Sequence, residues 1–355
     1  MGECCSTNVP PPDSQITTNN KVEDKPTKPP TEDKELVHSV TKIQAHYRGH
    51  AVRKEASKQK DDPNPSDQEN IHYPKPEIAH PIKEMPQINN DNTMITLKKV
   101  GEYVYEDNYS NAYEDCVLLG PHEFENGAVY EGQWKLGQRH GKGKQIWNDG
   151  SIYEGFWEND KANGKGRLIH GDGDVYVGDW KEDKAHGRGV YLHMDGAQYD
   201  GDWLEDKQHG FGKETWPDGA QYEGDFDLGK KHGHGKFHWA DNSTYDGEFS
   251  NNNIHGEGKY EWNDGRKYHG QWQFNKMDGK GLFFWTDGRK YEGDYKEDKK
   301  EGFGVFEWPD GRKYKGNWLN GKQHGKGTYV GTNGEEREGE WHEGKRIKWA
   351  NPTEE

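Results

Sequence analysis

Cysteine is scarce: Cys4, Cys5 and Cys116 are the only three, too few for a disulfide framework and without metal-ligand spacing. Long apolar runs are missing as well. No stretch approaches the roughly 18 residues that cross a bilayer, and no apolar segment follows Met1 as in a secretory signal, so the expectation is a cytosolic chain. Positive charge is outweighed, 48 Lys and Arg standing against 64 Asp and Glu for a net charge of −16. That removes the basic surface a general nucleic-acid binder needs. Hydrophobic residues make up 28% of the 355 positions and charged ones 32%, a balance that in a featureless sequence signals disorder. The aromatics contradict it. The chain has 14 Trp, 19 Tyr and 11 Phe among 47 Gly, so its apolar surface is carried by large rings spaced by glycine, and a conventional enzyme core is not expected.

Proline concentrates in the first 98 residues, whereas Gly, Trp, Tyr and Asp-Gly pairs fill the rest, with the change near Thr93 to Val100. The first segment carries 13 basic and 15 acidic residues and the second 35 and 49, so the acidity belongs to the folded part. Composition divides the chain into a disordered N-terminus (1–30), a helix-compatible stretch (31–60), a Pro-rich linker (61–98), an N-terminal cap with a half repeat (99–127), a repeat array (128–346) and a tail (347–355).

Internal repetition defines the array. Tyr130, Tyr153, Tyr176, Tyr199, Tyr222, Tyr245, Tyr268, Tyr291 and Tyr314 recur every 23 residues, with Arg337 in the tenth slot. Each unit reads as an aromatic pair, a turn, His-Gly-x-Gly, another aromatic and Asp-Gly. Alternation within each half has the period of a strand: Tyr130, Gly132 and Trp134 share one face and Glu131 and Gln133 the other. A turn near Gly137 and another at Asp149-Gly150 make each repeat a hairpin. The predicted fold is all-β, an elongated single-layer meander with one ring-packed face and one charged face. At about 4.8 Å per strand, ten units give a rod on the order of 95 Å long, a length suited to spanning or scaffolding.

Tyr-Glu-Gly-x-Trp followed by His-Gly-x-Gly and Asp-Gly at this spacing resembles the MORN (membrane occupation and recognition nexus) repeat family over about Gly120 to Lys345. Departures exist: Asn163, Asp278 and Glu301 stand for the His, His170 and His193 for the second Trp, and Asn242 for a turn Gly. Similar arrays occur in radial-spoke heads of cilia, junctophilins, plant phosphatidylinositol phosphate kinases and protist cytoskeletal scaffolds. The resemblance implies an interaction module without choosing its partner.

Two features precede the array. Met1-Gly2-Glu3-Cys4-Cys5-Ser6 satisfies the N-myristoylation pattern at Gly2, and palmitate on Cys4 or Cys5 would supply the second signal that stable anchoring needs. Further on, Ile43-Gln44-Ala45-His46-Tyr47-Arg48-Gly49-His50-Ala51-Val52-Arg53 resembles the complete IQ motif, which binds calmodulin or a calmodulin-like EF-hand protein. Leu36, Val40, Ile43, Tyr47 and Ala51 form an apolar stripe at helical spacing, and Lys42, Arg48, Arg53, Lys54, Lys58 and Lys60 provide positive charge. By resemblance, Ile43 anchors in one lobe, Gln44 bonds a linker backbone, Gly49 permits close approach, and Arg48 and Arg53 pair with acidic groups.

The His ladder (His140, His186, His209, His232, His255, His324) invites a metal reading that spacing opposes. Equivalent positions should lie roughly 10 Å apart, whereas zinc ligands lie within about 2.1 Å of one ion. A structural role, the imidazole bonding a nearby turn or strand backbone, is expected instead, and the repeating carboxylates Glu131, Glu154, Asp200, Glu223 and Asp246 read as a solvated face. Nucleotide-loop, zinc-protease and nucleophile-elbow motifs are missing, so neither a catalytic site, a metal nor a cofactor is expected. Arg266-Lys267, Arg289-Lys290 and Arg312-Lys313 precede three consecutive tyrosines, placing an Arg row and a Lys row on opposite faces. They are a candidate patch for an anionic partner, with pairing to nearby Asp and Glu as the competing reading.

The function expected from these parts is a non-enzymatic adaptor on the cytoplasmic face of a membrane, binding calmodulin and docking a protein partner on the rod. Pairing of two rods into a homodimer is a further arrangement, and nucleic acid is not an expected ligand. The alternative is an axonemal or other cytoskeletal scaffold such as a radial-spoke-head protein. Cys116 is expected as a buried cap residue, and Tyr103 to Tyr113 as a strand capping the open edge.

Overall fold

The two halves of a repeat are the two strands of one hairpin. In the first, β3 (Val129–Lys135) and β4 (Gln138–Ile146) are joined by Leu136-Gly137, whose φ values of 50° and 77° are both positive. Such two-residue turns match the right-handed twist of the strands they join. The return turn is a three-residue loop: Gly150 donates to Trp147 O (2.9 Å), and Trp147 donates to Ser151 O (3.0 Å). Asp149 Oδ1 braces it from within by accepting the Ser151 N–H at 2.9 Å. The aspartates of the later turns, from Asp195 to Asp310, do the same. Asn242, at φ 69°, fills a glycine slot because asparagine tolerates the left-handed region.

The structure, a computed structural model, describes residues 79–105, 113 and 115–350. Among them, 22 strands, from β1 (Ala79–Pro81) and β2 (Val117–Phe124) to β22 (Lys345–Trp349), each pair antiparallel with the next in one open sheet. Register between units is fixed by the hairpin turns. Asp183 Oδ1 accepts the Ala162 N–H at 2.7 Å and Asp206 Oδ1 the Ala185 N–H at 2.8 Å. Asn252, Asn275 and Asp298 do likewise for Lys231, Ile254 and Met277. Each bond reaches back 21 residues and staples one unit to the one before it; where the turn residue is Gly229, Gly321 or Gly344, only the glycine N–H reaches back, to Gln208, Lys300 or Gln323 O.

The core is a zipper of rings. Tyr222 stands edge-on to Phe226 of its own unit (5.2 Å) and to Phe249 of the next (5.2 Å). The same two contacts, own unit and next, run from Tyr130 with Trp134 and Trp157 to Tyr314 with Trp318 and Trp341. Edge-to-face geometry sets the positive ring edge against the negative face of its neighbour. A single layer buries these tyrosines to 2% exposure or less because each ring lies over a facing glycine pair. A Cβ on Gly235 would fall 2.4 Å from Tyr222 Oη. The phenols donate to the carbonyl three residues on, as Tyr222 does to Asp225 O at 2.9 Å, and indoles such as Trp203 donate to a glycine carbonyl of the previous unit, here Gly189 O at 3.0 Å. The rings are thus consumed inside each rod, so among the described residues the ring side offers no bare aromatic face for pairing with a second rod.

The opposite face departs from the charged pattern at its N-terminal end. Ile146, Ile152, Ile169 and Val175 are buried beneath Met85, Ile88, Leu97 and Val100. The chain from Ala79 therefore does not behave as the linker that composition assigned to 61–98. It forms β1, crosses this aliphatic strip, and enters helix α1 (Asp91–Val100). Asn90 caps α1 by accepting the Thr93 N–H (3.1 Å) and bridges two return turns by donating to Asp149 O and Gly171 O, both at 2.9 Å. Thr93 and Thr96 hydroxyls donate to Gly150 O (3.0 Å) and Gly173 O (2.8 Å).

Three further expectations change. Tyr103, Tyr105 and Tyr113 do not cap the sheet edge; Tyr105 and Tyr113 pack on Phe156, Tyr105 donates to Gly143 O (3.1 Å), and the Arg167 guanidinium lies over Tyr103. The edge is covered only in part, by β1 against His122–Phe124. Cys116 is half-buried rather than buried, and its backbone N–H donates to Tyr113 O. The sheet also runs past 346, since Trp349 packs against Tyr329 and Trp341.

Candidate functional site

The acylation residues Gly2, Cys4 and Cys5 and the IQ residues Ile43, Gln44, Tyr47, Arg48, Gly49 and Arg53 lie outside the described residues. The array shows what surface they are joined to. Arg266, Arg289 and Arg312 lie over Trp262, Trp285 and Trp308 at 5.3 to 5.6 Å. Each is also paired with the aspartate of its own turn, Asp264, Asp287 and Asp310, at 2.6 to 2.7 Å. On the other face Lys267 and Lys313 pair across the strand with Glu261 (3.0 Å) and Glu307 (3.1 Å), and Lys290 pairs along its strand with Glu292 (3.4 Å). The six cations do stack as two rows on opposite faces, but every one is matched by a carboxylate, so they are not an unopposed basic patch. Such exposed pairs are worth little energy; their consequence is a neutralised potential.

Two members of the His ladder serve the turns. His140 Nδ1 accepts the Asn159 N–H (3.3 Å) and His209 Nδ1 the Leu228 N–H (3.5 Å). Where the sequence departs, Asp278 and Glu301 carboxylates accept the equivalent N–H groups of Glu297 (3.2 Å) and Asn320 (2.9 Å). In these four units the position supplies an acceptor, from three side-chain types, whereas the buried Nδ1 atoms of His255 and His324 have no hydrogen-bond partner among the described residues. Among the described residues no cluster of three or more His, Cys, Asp or Glu is placed to hold a metal ion.

Two buried polar groups were not read from the sequence. In the fourth unit Glu214, fully buried, pairs with Lys231 (2.7 Å) and accepts from Gln208 (2.8 Å). The ammonium also lies 5.1 Å from the ring centroids of both Trp216 and Tyr222. The second is Asp174, in the turn next to α1. Its carboxylate accepts from Tyr191 Oη (2.8 Å) and the Met194 N–H (2.9 Å) and meets His193 Nδ1 at 3.2 Å. Burial by itself would raise the Asp174 pKa, but the bonds from His193, Met194 and Tyr191 outweigh it and hold it at about 2. His193 stands where other units have tryptophan, which was the available signal.

Because the folded-state pKa lies below the unfolded value of 3.8, the stabilisation is present above pH 3.8 and is lost as pH falls through about 2. It amounts to about 2 kcal/mol. Asp174→Asn is expected to lower the thermal midpoint at pH 6 and to flatten the fall in stability between pH 4 and 2. Parallel midpoint-versus-pH curves for the two proteins would contradict this.

The fold and surface therefore define a nearest-neighbour β-repeat rod with an N-terminal strap. Nine successive segments, residues 130–152, 153–175, 176–198, 199–221, 222–244, 245–265, 268–288, 291–311 and 314–336, match the MORN repeat, and residues 37–56 match the IQ calmodulin-binding motif. With more than half its length matched, the chain belongs to the MORN-repeat family, as a calmodulin-binding repeat protein. No curated sequence matches it. Among solved structures it is similar in part to the TCP10 domain of Danio rerio CPAP (12% identity over 58% of this chain and 98% of that one, TM-score 0.33). It is also similar in part to the TCP domain of Drosophila melanogaster SAS-4, solved with a proline-rich motif of Ana2 (12% identity, 49% and 88%, TM-score 0.30).

Proposed function

We propose that this protein is a non-enzymatic, membrane-anchored adaptor in which acyl chains at Gly2 and Cys4 or Cys5 hold the chain to the cytoplasmic face of a membrane. The IQ segment recruits calmodulin or a calmodulin-like EF-hand protein, and the array docks a protein partner. What carries the reading is the order of parts along one chain: a Met-Gly-x-Cys-Cys-Ser start, an IQ motif at 37–56, and a stapled array that buries its own rings. A single myristoyl chain binds membrane only marginally, and the cysteine pair supports the second anchor. Calcium then acts through how calmodulin grips residues 37–56, changing the position of the rod relative to the bilayer.

The test is the intact mass of the N-terminal peptide from native cells, followed by fractionation of a Gly2→Ala variant. Myristate on Gly2 with a thioester-linked acyl group on Cys4 or Cys5, and release of the variant to the soluble fraction, are expected. A bare or acetylated N-terminus would overturn the anchor. Resistance to detergent extraction together with microtubules would favour the axonemal alternative, since dissolving the membrane frees an acyl-anchored protein.

Ile43→Glu is expected to weaken calmodulin binding on the order of 30-fold or more, as burying a charge at a central anchor does. Titration calorimetry reads it. An unchanged dissociation constant would remove the IQ segment from the mechanism.

A further inference from the structure

An open sheet has two edges, and here they are treated differently. At the C-terminal edge β22 carries Lys345, Arg346 and Lys348 on five residues, the charge pattern that keeps an exposed edge from pairing with its own copy. At the N-terminal edge β1 covers only part of β2. Ala79, His80 and Pro81 pair with Phe124, Glu123 and His122, and Ile82 N–H adds one bond to Pro121 O at 2.9 Å. The chain then leaves the edge, with Met85 and Ile88 packing on the aliphatic strip. This leaves the outer side of Val117-Leu118-Leu119-Gly120 without a strand among the described residues. Val117 is 60% exposed and Leu118 74%, and the four residues carry no charge. Val117 and Leu119 lie on the ring side, opposite Trp134 and Gly132, and Leu118 on the other side, opposite Gln133.

We propose that this edge pairs antiparallel with the same edge of a second copy, about a twofold axis through Leu118, joining two arrays end to end in one continuous sheet. The strand is self-complementary. In that register Leu118 meets its own counterpart on one face, and Val117 and Leu119 exchange partners on the other, so apolar side chains cover each other without opposing charges. Pairing β2 with β22 instead would set the apolar strand against three cations and would leave two free edges, an open filament. The twofold arrangement consumes the unprotected edge and leaves the cationic edges outward. It also brings both chains' entry points at Ala79 to the junction. On the adaptor reading, two acylated N-termini then act at one place and gain from their linkage.

Sedimentation of the full chain at about 50 µM should give twice the 40.9 kDa chain mass. Leu118→Lys, at an exposed position that leaves the fold intact by tryptophan circular dichroism, should weaken association at least tenfold by placing like charges opposite each other. With Cys4, Cys5 and Cys116 replaced by serine, Leu118→Cys should oxidise to a disulfide-linked dimer, because directly opposed residues of an antiparallel pair lie within reach of one. Ile347→Cys, at the other edge, should not. A monomer at about 100 µM, a dimer that Leu118→Lys leaves intact, or equal cross-linking at 347 would each overturn the proposal.

Discussion

Replacing Tyr222 with alanine is expected to destabilise the middle of the array by about 3–5 kcal/mol, the range for deleting a buried aromatic side chain. Tyr222 is fully buried, packs edge-on against two phenylalanines and lies over Gly235, so the cavity opens where one unit joins the next. Each repeat contacts only its neighbours, so the loss should uncouple rather than abolish the fold. Thermal unfolding should split into two transitions, and hydrogen exchange should accelerate between about residues 199 and 249 while the strap-covered units near Tyr130 and Tyr153 stay protected. Tyr222→Phe keeps the ring and loses only the bond to Asp225 O, about 1 kcal/mol. If alanine proved no worse than phenylalanine, the ring zipper would not be what holds adjacent units together.

The second large effect is expected at Lys231. Lys231→Met should cost about 3–5 kcal/mol, since it strands the Glu214 carboxylate, fully buried, without its counter-charge. Glu214→Gln added to Lys231→Met should recover most of that loss, because a neutral amide needs no counter-charge and still accepts from Gln208. Chemical denaturation of the two variants measures the difference. Equal loss in both would mean that the ammonium contributes through its packing on Trp216 and Tyr222 and not through charge.

The repeat period, hairpin alternation and turn chemistry were legible because each is a local demand. The second position of each two-residue turn, at positive φ, is Gly, Asn or Asp in every unit, and a ring lying flat on a strand needs glycine beneath it. The turn acceptor at the His position was legible for the same reason, although its replacement by Asp278 and Glu301 looked like departure until both were seen holding the same N–H group. The strap was not. Its signal was an aliphatic run, Ile146, Ile152, Ile169 and Val175, on a face otherwise charged, together with histidines in place of tryptophan at 170 and 193. Neither names what covers the strip, because Met85, Ile88 and Leu97 lie dozens of residues away in a segment whose proline content reads as linker. Likewise Arg266 and Lys267 were placed on opposite faces from the strand period alone, while their carboxylate partners depended on rotamers and turn geometry.

By itself, then, the sequence determined the period, the strand pairing between successive units and the aromatic core, since all three follow from contacts within about two repeats of each other. It also carried the acylation and IQ signals, which are linear motifs. Only the tertiary structure decided that residues 79–105 fold back over the first units, that the cationic rows are neutralised, and that one sheet edge is guarded by charge while, among the described residues, four residues of the other have no strand beside them. Those outcomes depend on distant segments meeting across space, and no local pattern specifies which distant segment arrives.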